Sequence, residues 1–342
     1  MKIRKIEKTD IPSLIEFNRR MYPKRDKIDE SVNFQFFMSP LANKYSESLI
    51  AVNKKDEIIG QILMMPNKFR YREDDGIAFW AVDFIVMPEH RGSLAGILLP
   101  KQALKLKHHF GVGVADTALA IHKRLGEEVV GYFSKFIKLT GLFSFLKFLF
   151  PPENKSMFFT FPDEVAVKGS RFLRVNDAGE IISDNGFWNN HVLEFARDVE
   201  FLRWRYFHLE NKYYVYKLVF MPDRDVPDAP TSYFVVRPII WKKVPCLLLV
   251  DYRVSHHKHF TAIIKAVTKL ARILKLPAVI TGCSLPSLMK ILTRNIFVKF
   301  SGKTVIVSNY KEFSNNIYIE NDNILVTFGD ADCDFYYGNN KW

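Results

Sequence analysis

Apolar positions recur along this chain with two periods that take turns. Ile3 opens a short alternating strand, and Thr9-Asp10 then caps a helix that runs to Met21, with Pro12 in its first turn and Leu14, Ile15 and Phe17 on its apolar side. Residues 48–52 and 58–64 read as strands joined across the polar hairpin 54–57, and 79–86 reads as the next strand. A helix over 96–109, a strand over 111–115, a helix over 117–125 stopped at Gly126 and a strand over 129–136 follow. Farther on, strands are predicted at 213–220, 232–241 and 246–254, then a helix 258–274, a strand 278–281, a helix 285–292 and a strand 304–308. The second half thus repeats the β-β-α-β-α-β rhythm of the first.

The connection from the strand 79–86 into the helix after it carries candidate chemistry. It passes through Pro88-Glu89 and then Arg91-Gly92-Ser93-Leu94-Ala95-Gly96. Such a turn leaves backbone N–H groups unpaired at a helix N-terminus, where the helix dipole favours an anion. Small residues let a pyrophosphate come close to the backbone, and Arg91 adds a fixed positive charge. The same residues are also compatible with a purely structural strand-to-helix turn.

These six positions resemble the Arg/Gln-x-x-Gly-x-Gly/Ala signature of the GNAT superfamily of acyl-CoA-dependent N-acyltransferases, with Leu94 in place of the first signature glycine. A second segment, Ala118 to Gly126 with Ala120, Ile121, His122 and Leu125, is similar to that family's Ala-x-x-Leu-Tyr-x-x-x-Gly-Phe landmark. The resemblance implies an α+β (mixed α/β) chain of two tandem GNAT-like domains, each a mostly antiparallel central sheet flanked by helices. The expected units are 1–137 with the acyl-CoA site, a connector 138–155, and a degenerate domain 156–342 that shapes the acceptor site. The cosubstrate implied is acetyl-CoA or another acyl-CoA, and the acceptor an amine. The resemblance also puts backbone N–H groups around Ile85, Val86 and Met87 on the thioester oxygen. It sets His122 where a Tyr commonly protonates the leaving thiolate, and Asp83 on a strand that often carries a base or amine-orienting carboxylate. From the residues themselves, Asp83 inside an apolar run is costly unless paired or functional, and an imidazole can give up a proton at neutral pH. A hydrogen-bonded structural Asp and a partly exposed helix His are the alternatives.

At the equivalent place in the second half, Val250 to His259 contains no glycine, which predicts one acyl-CoA site per chain. The segments Phe201 to Tyr206 and Thr327 to Asp334 resemble tandem GNAT-like proteins of bacterial surface-polysaccharide loci, which implies an amino sugar or nucleotide sugar as acceptor. Arg203 and Arg205 offer bidentate donors beside Trp204, suited to a carboxylate, a phosphate or a sugar ring, or else they anchor a helix end between domains. Asp330 and Asp332 suit a polar contact to the acceptor, or pairing with Arg203 or Arg205, better than metal. Phe335 and Lys341 stand where a calcium loop needs its Gly and Glu, so no metal is expected.

A net charge of +12 suits nucleic acid, an anionic membrane or a phosphorylated ligand equally well, and Lys101, Lys105 and Lys107 after the turn give part of it a use on a phosphorylated cosubstrate. Motifs for nucleic-acid binding are absent and DNA is not an expected partner; an aminoacyl-tRNA-dependent Fem-type transferase and an inactive GNAT-like binding protein are the rival readings. Three cysteines without paired spacing, and no apolar signal core, point to the cytoplasm. His256-His257-x-His259 reads as a polar helix start. The aromatic-rich stretch 136–150, too short and too charged to span a bilayer, is expected to be either a buried interdomain connector or an interfacial helix on anionic lipid.

Overall fold

The computed structural model describes residues 1–25, 28–42, 44, 46–151, 159–181, 186–189, 191–208, 213–220, 231–301, 304–310, 324–331 and 334. Strand β1 (Lys2–Lys5) leads to helices α1 (Ile11–Met21) and α2 (Ile28–Phe36) and strand β2 (Leu49–Val52). A long hairpin of β3 (Ile58–Tyr71) and β4 (Asp74–Val86) precedes α3 (Ala95–Ala103), β5 (His109–Val112), α4 (Asp116–Arg124) and β6 (Glu128–Leu139). The one-turn helix α5 (Leu146–Leu149) is followed by β7 (Glu164–Val167), β8 (Ser170–Val175), β9 (Glu194–Phe195) and α6 (Val199–Leu202). The rest comprises β10 (Tyr214–Phe220), β11 (Tyr233–Trp241), β12 (Val244–Arg253), α7 (His257–Ile273), β13 (Ala278–Cys283), α8 (Pro286–Arg294), β14 (Val298–Lys299) and β15 (Thr304–Ser308).

Among the described residues the strands form one continuous, mostly antiparallel sheet in the order β1-β2-β3-β4-β5-β15-β6-β13-β12-β11-β10-β8-β7, with β14 beside β6 and β9 beside β3. Two pairs are parallel, β4 with β5 and β12 with β13. The halves are joined by an exchange of strands. β15, from late in the chain, lies between β5 and β6, and β6 gives its first residues to β15 and residues 134–139 to β13. The series β4-β5-β15 therefore matches β12-β13-β6, each half closing on a strand supplied by the other. A boundary at residue 137 falls inside β6, whose Ile137 pairs with Ile280.

Several elements differ from what periodicity predicts. The β3–β4 hairpin extends well past 58–64 and 79–86 because Phe69 and Tyr71 are buried between half-exposed Lys68 and Arg70, an alternation that polar flanks conceal. α3 stops at Ala103 instead of running to 109. Pro100 interrupts its hydrogen bonding, and His108 adopts φ +64°, which ends the turn before β5. α2 was not expected; it forms by laying Ile28, Val32 and Phe36 on the core. The stretch 136–150 is not a buried connector. Phe148 packs on Trp241 at 5.7 Å between ring centres, but Leu142, Phe143, Leu149 and Phe150 stand exposed.

Candidate functional site

The parallel pairing of β4 with β5 is short, matching Phe79–Ala81 to His109–Gly111, and then stops. Just beyond it β4 bulges. Leu63 opposes Val82 and Gln61 opposes Ile85, so Asp83 and Phe84 together face Ile62. Asp83 takes φ +49°, a left-handed backbone that an Asp tolerates better than most residues. A buried amide pair holds the distortion: Asn18 and Gln61 exchange hydrogen bonds of 2.9 and 3.0 Å, and Gln61 Nε2 donates to the Asp83 carbonyl at 3.2 Å. Beyond Ala81 and Gly111 the ends of β4 and β5 do not pair, and this unpaired stretch is the opening between them.

Backbone alternation decides which amides face that opening. Met87 donates its N–H to the Ile59 carbonyl at 2.9 Å, so the neighbouring Val86–Gly60 pair is of the non-hydrogen-bonded kind, and the Val86 N–H points away from β3. Ile85 and Met87, also expected to present amides here, turn theirs into the β3 ladder. At the start of α3 the accounting is similar. His90, Arg91, Ser93, Ile97 and Leu98 donate to carbonyls, and Ala95 to the Ser93 hydroxyl. Among the described residues, the amides of Gly92, Leu94 and Gly96 meet no acceptor. A Cβ added at Gly92 or Gly96 would touch nothing within 4 Å, so nothing in the protein itself requires glycine there. Leu94 is 64% exposed, so its isobutyl group does not pack over the corner. Three open amides, a clear approach and Arg91 beside them suit a diphosphate.

Asp83 does not stand open. Arg25 Nη1 meets its Oδ2 at 2.8 Å, and Arg25 lies over the Tyr22 ring, 3.6 Å from its centre. The guanidinium therefore occupies the carboxylate that sequence reasoning offered as a base. His122 also lies elsewhere than expected. Its Nδ1 bonds Glu127 Oε2, while His109 Nδ1 meets Glu127 Oε1 at 2.7 Å, and all three side chains are buried. Burial works against the Glu127 charge, but the hydrogen bonds from His109 and His122 outweigh it and lower its pKa from 4.5 to about 2. With Glu127 anionic, both Nδ1 atoms carry a proton. His109 opposes Phe79, at the far end of the parallel pairing from Asp83, so the structure does not bring Asp83 and His122 together. Neither Arg25 nor Glu127 was singled out from sequence. Glu127 was visible in principle, as a carboxylate in the position where the second landmark has Phe.

The second half carries the same opening in closed form. β12 pairs Leu247–Leu249 with Val279–Thr281 and then bulges at Val250. Here the chain itself occupies the gap: Gly329 donates to the Val250 carbonyl at 2.9 Å and Thr327 Oγ1 to Asp251 Oδ1 at 2.8 Å. Arg197 bridges Asp251 and Asp330 at 2.7 and 2.6 Å, and Arg253 Nη1 reaches Asp251 at 2.8 Å. Desolvation opposes the Asp251 charge, but Arg197 and Arg253 hold its pKa well below the usual carboxylate range. Arg205, also fully buried, meets Asp334 at 2.5 Å.

Two of the residues offered for acceptor binding are thereby corrected. Arg205 and Asp330 are spent on internal ion pairs with no exposed surface, and the partner of Asp330 is Arg197, not Arg203 or Arg205. Trp204 between the two arginines donates to the Phe34 carbonyl at 3.0 Å and stacks on that ring, fastening this turn to α2. Arg203 is exposed, 3.7 Å from Asp177. Asp332 lies outside the described residues.

No family model and no curated protein matches the sequence. Solved structures do match in shape. A GCN5-related N-acetyltransferase from Anabaena variabilis superposes with a TM-score of 0.58 at 12% identity, over 90% of this chain and 72% of that one. A conserved protein of unknown function from Enterococcus faecalis, described as a probable N-acyltransferase, gives 0.61 at 11% identity over 91% and 73%. N-myristoyltransferase of Saccharomyces cerevisiae with bound myristoyl-CoA gives 0.55 at 12% identity over 90% and 78%. At these identities the likeness is one of fold, and the fold is the GNAT fold, a mixed α/β chain built on a large, mostly antiparallel sheet flanked by helices.

Proposed function

We propose that this chain is an acyl-CoA-dependent N-acyltransferase with one active site, at the opening between β4 and β5. The observation that carries the reading is the set of open amides at Gly92, Leu94 and Gly96 beside a bulged β4. When bound, acyl-CoA supplies a thioester whose carbonyl is open to attack by an amine. The three amides and Arg91 hold its diphosphate, with Lys101 and Lys105 nearby on and after α3. The Val86 N–H is aimed to stabilise charge that develops on the acyl oxygen. Asp83, its carboxylate held by Arg25, orients the acceptor amine instead of taking its proton. His122 and Glu127 fix α4 against the start of β5.

Closure of the second opening by residues 324–331 supports one site per chain, with the second half walling the first. The acceptor is an amine, and amino sugars and nucleotide sugars head the panel on the strength of the sequence resemblance. From the sequence the reaction is expected in the cytoplasm; separately, the described residues include no helix long and apolar enough to cross a membrane. The test is release of free CoA from acetyl- and longer acyl-CoA in the presence of that panel, with charged aminoacyl-tRNA in a separate arm. Amine-dependent CoA release supports the proposal. Aminoacyl transfer from tRNA without CoA release would replace it with the Fem-type reading.

A further inference from the structure

An exposed apolar surface surrounds the end of β6 and has no role in the reaction proposed above. Leu142 is 82% exposed, Phe143 70%, Leu149 64% and Phe150 76%. β14 extends this surface, since its exposed Val298 pairs beside Ile137 of β6. The tip of the β11–β12 hairpin closes it from the other side, with Trp241 between Phe148 and Phe300. Side chains of this kind in contact with water are unfavourable in proportion to their area, and exposed apolar side chains gathered in one place and rimmed by charge mark an interaction site.

The charges around the patch say what covers it. Lys242 lies over the Trp241 ring, and Lys147 reaches the Lys275 carbonyl at 3.4 Å. Arg272 donates to the Thr140 carbonyl at 2.8 Å and also lines an open groove with Lys138, Lys168, Lys265 and Lys269. Residues 135–151, 238–246, 269–279 and 290–301, which build the patch and its rim, contain no Asp or Glu, so every charge they carry is positive. Another protein surface would need apolar and acidic groups interleaved at matching points. An anionic bilayer offers both over any geometry, with acyl chains beneath a plane of phosphates.

We infer that this face docks on an anionic lipid bilayer, with Phe143, Leu149 and Phe150 entering the headgroup–acyl boundary and the groove between Lys138 and Lys269 holding lipid phosphates. The docking is peripheral and does not depend on the acyl-transfer reading.

Flotation of the full chain with vesicles tests it. The chain is expected to float with mixed phosphatidylcholine–phosphatidylglycerol vesicles and to stay behind with phosphatidylcholine alone. F143S/F150S replaces two exposed side chains, so its melting temperature is expected to hold while vesicle partitioning falls by about tenfold or more. K265Q/K269Q is expected to weaken partitioning and flatten its dependence on salt. Failure of the wild type to float with anionic vesicles would overturn the inference. So would equal flotation of F143S/F150S, which would leave general positive charge as the cause. A wild type that is dimeric without lipid, and monomeric as F143S/F150S, with neither floating, would give the surface to a second copy instead.

Discussion

Gly329 donates its amide to the Val250 carbonyl at 2.9 Å, at the bulge in β12 that corresponds to the open bulge in β4. A Cβ at Gly329 would lie 2.2 Å from the Tyr206 hydroxyl oxygen and 2.9 Å from Asp251 Cβ, so the plug fits only because this residue has no side chain. Substituting Gly329→Ala is expected to destabilise the protein by about 2–3 kcal/mol through overpacking of a buried ionic cluster. Chemical denaturation checks this, and a stability unchanged from wild type would mean that the plug yields without cost.

Gly92 and Gly96 present the opposite case, because no neighbour demands them. Gly96 lies within α3, so Gly96→Ala is expected to keep or raise stability by about 0.5–1 kcal/mol from helix propensity. In the proposed site the same methyl would stand where the diphosphate approaches, so CoA affinity is expected to fall about tenfold. Paired thermal and calorimetric measurements separate the two effects. A variant that binds CoA as well as wild type would move the diphosphate off this turn.

The Arg25–Asp83 contact of 2.8 Å places a charge pair at the mouth of the opening. Asp83→Asn and Arg25→Gln are each expected to lower kcat/KM for the amine by about 10–100-fold, with CoA affinity unchanged. Steady-state kinetics and calorimetry on the same preparations check this. A loss that falls entirely on CoA binding would remove the pair from acceptor positioning.

Glu127 sets an acid limit on stability. Its pKa is lowered in the folded chain from 4.5 to about 2, so its contribution is complete above the unfolded value and is lost as pH falls from about 4.5 through about 2. Glu127→Gln is expected to cost about 3 kcal/mol at neutral pH and to remove that part of the acid limb. Melting temperature against pH shows both effects. An acid limb identical in the variant would assign it to other carboxylates.

How far the sequence disclosed this arrangement varies from element to element. The order of strands and helices was legible because α7 buries one face at the helical period and β12, buried throughout, is a nearly continuous apolar run. The turn at residues 91–96 was legible because Arg91, Gly92 and Gly96 follow a strand that ends in Pro88-Glu89. The strand exchange was not, since β15 reads the same whichever neighbours it joins. Asp83 reads as a carboxylate that burial makes costly, and Asp330 as one that contacts the acceptor or pairs with Arg203 or Arg205, but their partners Arg25 and Arg197 lie 58 and 133 residues away along the chain. Charge complementarity over such distances leaves no local pattern. Arg205 reads equally as a ligand-binding residue or as the anchor of a helix end, because a guanidinium suits a substrate phosphate and a buried Asp334 equally well.

The most direct test of the central claim is calorimetric titration with CoA and, separately, with pantetheine, which has the thiol arm but no diphosphate. If Gly92, Leu94 and Gly96 hold the diphosphate, CoA binds with one site per chain and pantetheine binds about 100-fold more weakly or not at all. Equal affinity for the two, or no binding of CoA, would contradict the account.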